Sequence, residues 1–564
     1  MRQKARLSRI VWLLRNKYQF FSIYKAMSLR KGYGFVFQTH LMKKYLIVLY
    51  ALQAALITNA QDKDIKWKVS TQTTISSGDN NPFWLNANRY GLSSLDTSNG
   101  YMRASLTKET TLDSLEQFSL GGMVDIAAAF NYSSKVIVQQ AYLEGRWKKG
   151  VLTFGSKEYP MELKSQTLST GSQTLGINAR PVPQIRVALQ DYWTLPFTHG
   201  WVSIKGHLSY GMTTDQRWQK EFTDLKSRYT ENVLYHSKAG YLRIANAKKH
   251  CPVSLTIGLE MASQFGGTSY LFDKYGKMLV MENDKGLDAF LTALIPGGAD
   301  TSEDVYQNAR GNVVGSWVAR LDIDKPKWSI GLYADHFFED HSSMFLLDYD
   351  GYGEGTEWNE KKQSRFLLYQ MKDIMLGMEL KLKNFRYLNN IVAEYVYTKY
   401  QSGPIYHDHT EHISDHIGGI DNYYNHHLFP GWQQWGQAIG NPLYTSPIYN
   451  TDGIIEFKNN RFVAYHVGIS GQPTHNLSYR ILSTWQKGYG TYRQPYPNPK
   501  TGFDCMGELS CRMKKGWDIT AAMAFDRGTQ TGNNFGVQLT VAKSGILPKL
   551  RIKKTNHLKI KKTS

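Results

Sequence analysis

The sequence predicts an all-β fold: a transmembrane antiparallel β-barrel with short helical elements in its loops. Three observations carry this. Stretches of about ten residues recur in which apolar side chains occupy every second position, the period of a strand and not of a helix. The 564 residues are 13% aromatic, with 36 Tyr, 14 Trp and 48 Gly but only 20% charged residues, a composition suited to large β structures and incompatible with disorder. A leader of secretory type precedes the first such stretch.

The elements follow in chain order. Met42-Lys43-Lys44 leads into the apolar run Tyr45–Ile57, and Thr58-Asn59-Ala60 precedes Gln61. A short positive segment, an apolar run too short for a spanning helix and a small residue at the cut describe a signal peptide over 42–60. Residues 1–41 are then expected to derive from an upstream start codon, with translation beginning at Met42. Charge is concentrated at the two ends. Lys and Arg number 67 against 47 Asp and Glu, a formal net charge of +20. Eleven cations lie in 1–60 and seven in the basic tail 546–564, neither of which contains an acid, so 61–545 carries only +2. That body offers no polyphosphate-binding surface, which excludes a nucleic-acid partner.

From Trp67 the alternation begins: Trp67, Val69, Thr71, Thr73 and Ile75 against Lys68, Ser70, Gln72 and Thr74. Arg146–Phe154 reads as a hairpin with a tight polar turn of the periplasmic kind. Val253, Leu255, Ile257, Leu259 and Met261 oppose Ser254, Thr256, Gly258, Glu260 and Ala262. Gly286–Ile295 predicts a helix stopped by Pro296, in a loop or against the barrel mouth. Val313–Leu321, Trp328–Leu332, Trp517–Phe525 and Phe535–Val541 repeat the two-residue period, while 336–365 and 401–455 are too long for turns. A secreted sandwich has the same alternation, but globular strands average roughly five or six residues and membrane-crossing strands need about nine to eleven. Trp67, Trp201, Trp328, Trp485 and Trp517 at strand ends fit an interfacial girdle. Mean hydropathy of −0.44 and the lack of an apolar run of about eighteen residues exclude a helical membrane protein. Cys251, Cys505 and Cys511 lack metal-ligand spacing, and free thiols are expected, with a Cys505–Cys511 pair as the alternative.

Several segments resemble the Bacteroidetes branch of the capsule-assembly Wzi family. They are Asn81-Pro82-Phe83-Trp84-Leu85, Ala87-Asn88-Arg89-Tyr90-Gly91, Asn178–Gln184, His336–Ser342, Asp421–His426, Gly440-Asn441-Pro442-Leu443 and Gly490-Thr491-Tyr492, in order through nearly all of 61–545. The resemblance implies an outer-membrane barrel of about eighteen strands, helical elements that occlude the lumen, and a surface lectin that holds capsular polysaccharide on the cell. The upstream residues 1–41 and the basic tail depart from that pattern.

Site chemistry points the same way. Sugars offer hydroxyls and C–H faces, so their sites combine flat aromatic surfaces with hydrogen-bonding groups. The long loops supply Tyr349, Tyr352, Trp358, Tyr406, Tyr423, Tyr424, Trp432 and Trp435, and from these Tyr352, Trp358, Tyr406, Tyr423, Tyr424, Trp432 and Trp435 are the candidate polysaccharide-binding residues. His407, His409, His412 and His416, with Asp408, Glu411 and Asp415, are weak metal candidates because their spacing matches no compact ligand motif. His336, Glu339, Asp340 and His341 invite the same idea and read better as a strand end before a loop. Asp348, Asp350, Glu354 and Glu357 supply carboxylates for a glycosidase pair, yet no nucleophile elbow or phosphate loop accompanies them, and no catalysis is expected. The expected protein is a monomer without cofactor or resident metal, with outer-membrane lipid and capsular polysaccharide as partners. A transport pore with an open lumen is the alternative, and a glycan-processing enzyme the third reading.

Overall fold

The computed structural model describes residues 61–547 except 63–64, 114, 116, 247–250, 296–310, 340–345, 350–352, 368–371 and 407–416. The proposed signal peptide, upstream extension and basic tail lie outside the described residues, apart from the tail's first two positions.

Eighteen antiparallel strands form one closed wall. They are β1 (Lys66–Ser77), β2 (Ser98–Thr111), β3 (Phe118–Phe130), β4 (Val136–Trp147), β5 (Gly150–Ser156), β6 (Gln184–Leu189), β7 (Val202–Met212), β8 (Leu234–Ile244) and β9 (Val253–Phe265). The second half is β10 (Asn312–Asp324), β11 (Trp328–Glu339), β12 (Ile374–Leu382), β13 (Asn390–Tyr397), β14 (Phe462–Thr474), β15 (Leu477–Gly490), β16 (Pro495–Arg512), β17 (Trp517–Gly528) and β18 (Asn534–Ile546). Each strand pairs with the next, and β1 closes the ring on β18 from Lys66↔Ile546 to Ser77↔Phe535. Closure leaves no free sheet edge, which makes a sheet compatible with lipid.

The alternation sorts side chains as the sequence predicts. On β1, Ser70, Gln72 and Thr74 are buried inside while Val69 and Ile75 are exposed outside. On β18, Phe535, Val537 and Leu539 face out and Gln538 faces in, bonded to Thr74. Apolar outside and polar inside is the reverse of a soluble sandwich, so the wall is that of an outer-membrane barrel. Connections are short at one end, as in the turn Lys148-Lys149 between β4 and β5, and long at the other, as at 398–461. By the usual arrangement the short turns face the periplasm. Trp67, Trp147, Trp201, Trp328 and Trp517 ring that end, whereas Trp485 lies further along the outer wall beside Tyr465.

The predicted helix forms as α3 (Leu287–Leu294), after α1 (Phe83–Asn86) and α2 (Gln216–Thr223). It lies outside the barrel. Phe290 packs on the outward-facing Tyr210 and Phe265, and the ammonium of Lys238, also on the outer face, donates to the carbonyl of Ala293 at 2.8 Å. A cation on a lipid-facing wall is thus capped by the acceptors at a helix C-terminus. The three cysteines are free thiols. Cys505 and Cys511 share strand β16 six positions apart, roughly 20 Å along it and far beyond bridging distance.

Candidate functional site

The lumen is filled by three inward segments, 78–97, 157–183 and 421–461. The short strands β5 and β6, seven and six residues long, leave the wall low where the second segment enters at Lys157. None has a regular period, and the first carries only the four-residue α1. The lumen is therefore occluded chiefly by irregular chain, within which the expected short helical elements occur as α1 and the 3-10 turn Pro447–Tyr449. Irregular backbone at membrane depth must find its hydrogen bonds inside the protein, and here it does.

Asn88 N–H donates to Asn178 Oδ1 at 3.0 Å, and Asn88 Nδ2 to the Thr170 carbonyl at 2.9 Å. Asn178 Nδ2 reaches the Ala438 carbonyl at 3.1 Å, joining the second segment to the third. Asn441 closes the same knot, with its backbone N–H on the Tyr424 hydroxyl at 2.9 Å and Nδ2 on the Gly171 carbonyl at 2.9 Å. The Tyr424 hydroxyl in turn donates to the Gln173 carbonyl. A Cβ at Gly440 would collide with both the Tyr424 hydroxyl and the Gln173 carbonyl, so the close approach demands glycine there.

Around these polar contacts lies an aromatic core. Tyr424 and Tyr444 stack with ring centres 3.9 Å apart, Phe337 meets Tyr424 edge-on, and Tyr235 stacks on Trp432. Trp84 contacts His466 and donates from its indole to Thr484 at 3.1 Å. Wall carboxylates anchor the plug. Asp526 accepts the Phe83 N–H at 3.0 Å, at the start of α1. Asp335 takes the Lys164 ammonium at 2.6 Å, and Glu394 accepts from Ser169, Thr170 and Tyr333. Lys164 and Asp335 are both almost entirely buried.

The candidate aromatics divide accordingly. Tyr423, Tyr424 and Trp432 are fully buried and their polar atoms engaged: Tyr423 donates to Asp373 Oδ2 at 3.1 Å and the Trp432 indole to the Thr174 carbonyl at 2.9 Å. In this arrangement these rings pack the plug and have no free face for a sugar. Trp435 sits at its rim with φ 54°, part-exposed, the Arg180 guanidinium 4.3 Å over its ring. Burial pushes Arg180 down to about 10. Trp358 is exposed after the short turn Gly355–Glu357. Tyr406 ends the strand Ser402–Tyr406, with its side chain outside the description, as are Tyr352 and the histidines His407, His409, His412 and His416.

His336 faces outward from β11 and its ring Nδ1 bonds the Asp373 carbonyl, while Glu339 accepts the Tyr424 N–H; Asp340 and His341 are not among the described residues. No cluster of three or more metal-type side chains occurs among the described residues. Sequence reasoning missed Lys164, Asp335, Glu394 and Tyr444. The available signal was Ser165–Thr174, a run of small polar residues around Leu168 with no period and no charge.

No protein-family model and no curated protein matches this chain. Among solved structures it is similar to Wzi of Escherichia coli, described as an outer membrane protein involved in group 1 capsule assembly and a carbohydrate-binding β-barrel. That likeness has 12% identity and a TM-score of 0.49, over 84% of this chain and 83% of the other. Acinetobacter baumannii OccAB4 is similar at 10% identity and a TM-score of 0.41, over 87% and 100% of the two chains. Pseudomonas aeruginosa OprD is similar at 8% and 0.41, over 87% and 98%.

Proposed function

We propose that this barrel is a non-enzymatic, lectin-like protein of the capsule-assembly Wzi type, which binds capsular polysaccharide and holds it at the cell surface. One observation carries the reading. Among the segments of that resemblance, Ala87–Gly91 bonds to Asn178–Gln184 and Asp421–His426 bonds to Gly440–Leu443, while Asn81–Leu85 is buried in the same plug. They share one structural task, to seal the lumen, and a sealed lumen favours binding at the outer rim over passage through the wall.

The binding surface belongs to the long loops, where Trp358 is exposed and Trp435 part-exposed beside Arg180. Tyr352 and Tyr406 fall in the same loops. Flat rings flanked by a guanidinium suit a glycan that carries acid groups. The test compares capsule on washed cells and in the medium for the wild type, a deletion strain and a Trp358→Ala strain. Shed capsule with unchanged total synthesis is expected in the deletion strain, with partial shedding for Trp358→Ala. Full retention in the deletion strain refutes the reading, as does release of new reducing ends from purified capsule by the protein.

A further inference from the structure

The outer face of the wall gathers four cations at the long-loop end of β12–β15: Lys372, Lys399, Arg461 and Lys487. β15 climbs from Leu477 at the short-turn end, and Lys487 stands ten residues further on, two after the outward Trp485. At roughly 3.4 Å per residue and a tilt of about 40°, Lys487 lies about 25 Å up, at the top of the apolar band of such a barrel. Its partner across the ladder is the outward Val463. Arg461, two residues before Val463, shares backbone bonds with Tyr489 and Gly490, and its Nε donates to the Lys399 carbonyl at 3.1 Å. Lys399 follows the last residue of β13 by two, and the exposed Lys372 precedes the first residue of β12 by two.

Tyrosines flank these charges. The Lys372 ammonium lies 4.1 Å over the Tyr400 ring, Lys399 4.4 Å over Tyr489 and the Arg461 guanidinium 3.6 Å over Tyr492. The Tyr492 hydroxyl donates to the Tyr400 carbonyl at 2.9 Å, tying two of these rings together. None of the four cations has a carboxylate partner among the described residues. Elsewhere cations are matched: Lys383 with Asp324 and Arg512 with Asp518 at the short-turn end, Arg103, Arg320 and Arg480 with carboxylates in the lumen. Four like charges gathered without a counter-charge repel one another, and an anion among them relieves that repulsion.

The surface directly beneath is apolar. Tyr395, Tyr465, Trp485 and Phe503 are neighbours in the ladder and form one outward row across β13–β16. A ligand that fits both levels is an anion on top of a hydrocarbon. We infer that this patch binds a phosphorylated, acylated saccharide of the outer leaflet, with its phosphates among Lys372, Lys399, Arg461 and Lys487 and its acyl chains along the aromatic row. Guanidinium and ammonium groups suit phosphate oxygens, and aromatic rings suit the edge of the acyl region. The row beneath the charges favours a lipid over a soluble acidic polymer. The inference is independent of the capsule-holding reading, because it concerns the outer wall and not the loops above the plug.

The test is native mass spectrometry of the delipidated full chain in detergent, titrated with diphosphoryl lipid A, monophosphoryl lipid A, phosphatidylethanolamine, inorganic phosphate and polygalacturonate. Diphosphoryl lipid A is expected to bind at least tenfold more tightly than phosphatidylethanolamine, with the monophosphoryl form between them. The double variant Lys372→Gln with Lys487→Gln should weaken lipid A binding at least fivefold in protein that keeps its heat-modifiable folded band on gels. Lys383→Gln, at the opposite rim, should leave it unchanged. Equal affinity for diphosphoryl lipid A and phosphatidylethanolamine overturns the inference, as does undiminished binding by the double variant. A loss at Lys383→Gln as large as that of the double variant overturns the location. Inorganic phosphate bound as tightly as lipid A overturns the lipid assignment, and so does polygalacturonate bound more tightly than lipid A and released by the double variant. Capsule retention is read separately in cells, so either reading can fail alone.

Discussion

Lys164 and Asp335 show what holds the plug to the wall. Each charge is almost fully withdrawn from water, and Asp335 also accepts the Gln173 N–H at 3.1 Å. Removing one partner strands the other, so Lys164→Met should destabilise the folded barrel by about 3–5 kcal/mol. The double change Lys164→Met with Asp335→Leu should recover much of that loss in urea unfolding from lipid vesicles. His426 supplies a pH dependence. Its ring Nδ1 accepts the N–H groups of Leu428 and Phe429 at 3.0 and 3.3 Å, which requires that nitrogen to be unprotonated. Burial first, then His427 and Arg228, holds its pKa well below the ordinary value. The unfolded loop takes up its proton near pH 6.5 while the folded loop does not. The stability of this turn is therefore complete above about pH 6.5 and falls as the pH drops below it. Exchange of the Leu428 and Phe429 amides, corrected for intrinsic rates, should be faster at pH 5.5 than at pH 7.5; equal protection would refute this. At this scale the sequence was least legible. Tyr423, Tyr424 and Trp432 lie in a segment without a period, and nothing in their spacing separates a ring that packs inward from one offered to a ligand.

The strands were legible because lipid imposes a simple rule on every second residue. Leu539 stands near the middle of β18 with half its surface exposed, while the adjacent Gln538 is buried and bonded to Thr74. Leu539→Arg should cost about 2–4 kcal/mol, as a cation near the bilayer midplane does. Gln538→Ala should cost only about 1–3 kcal/mol, the loss of one buried hydrogen bond. Unfolding of both variants in vesicles checks the ranking, and a reversed order would mean that β18 faces the other way. The helix at 287–294 was also legible from its stop signal and apolar run, but its seat was not. Its position rests on a long-range partner, the outward Lys238, whose need for acceptors becomes visible only once β8 has a defined outer face.

At the scale of the whole molecule, the closed wall and the filled lumen make one prediction together. The intact protein should be electrically silent in planar bilayers, and replacing 421–461 by a short Gly-Ser linker should open a measurable conductance. Steady current through the intact protein would favour the pore reading instead. Period and strand length announced the barrel, but the plug followed from no local pattern, since its order arises from contacts between residues as distant as Asn88 and Asn178 or Tyr424 and Gln173. The pairing of β1 with β18 has a further consequence, for biogenesis. Bulky groups such as Trp84, Trp432 and Tyr444 are buried inside the ring that this seam closes. Because β1 and β18 are the first and last strands of the wall, the ring closes only once all eighteen have been made, and these two act as its clasp.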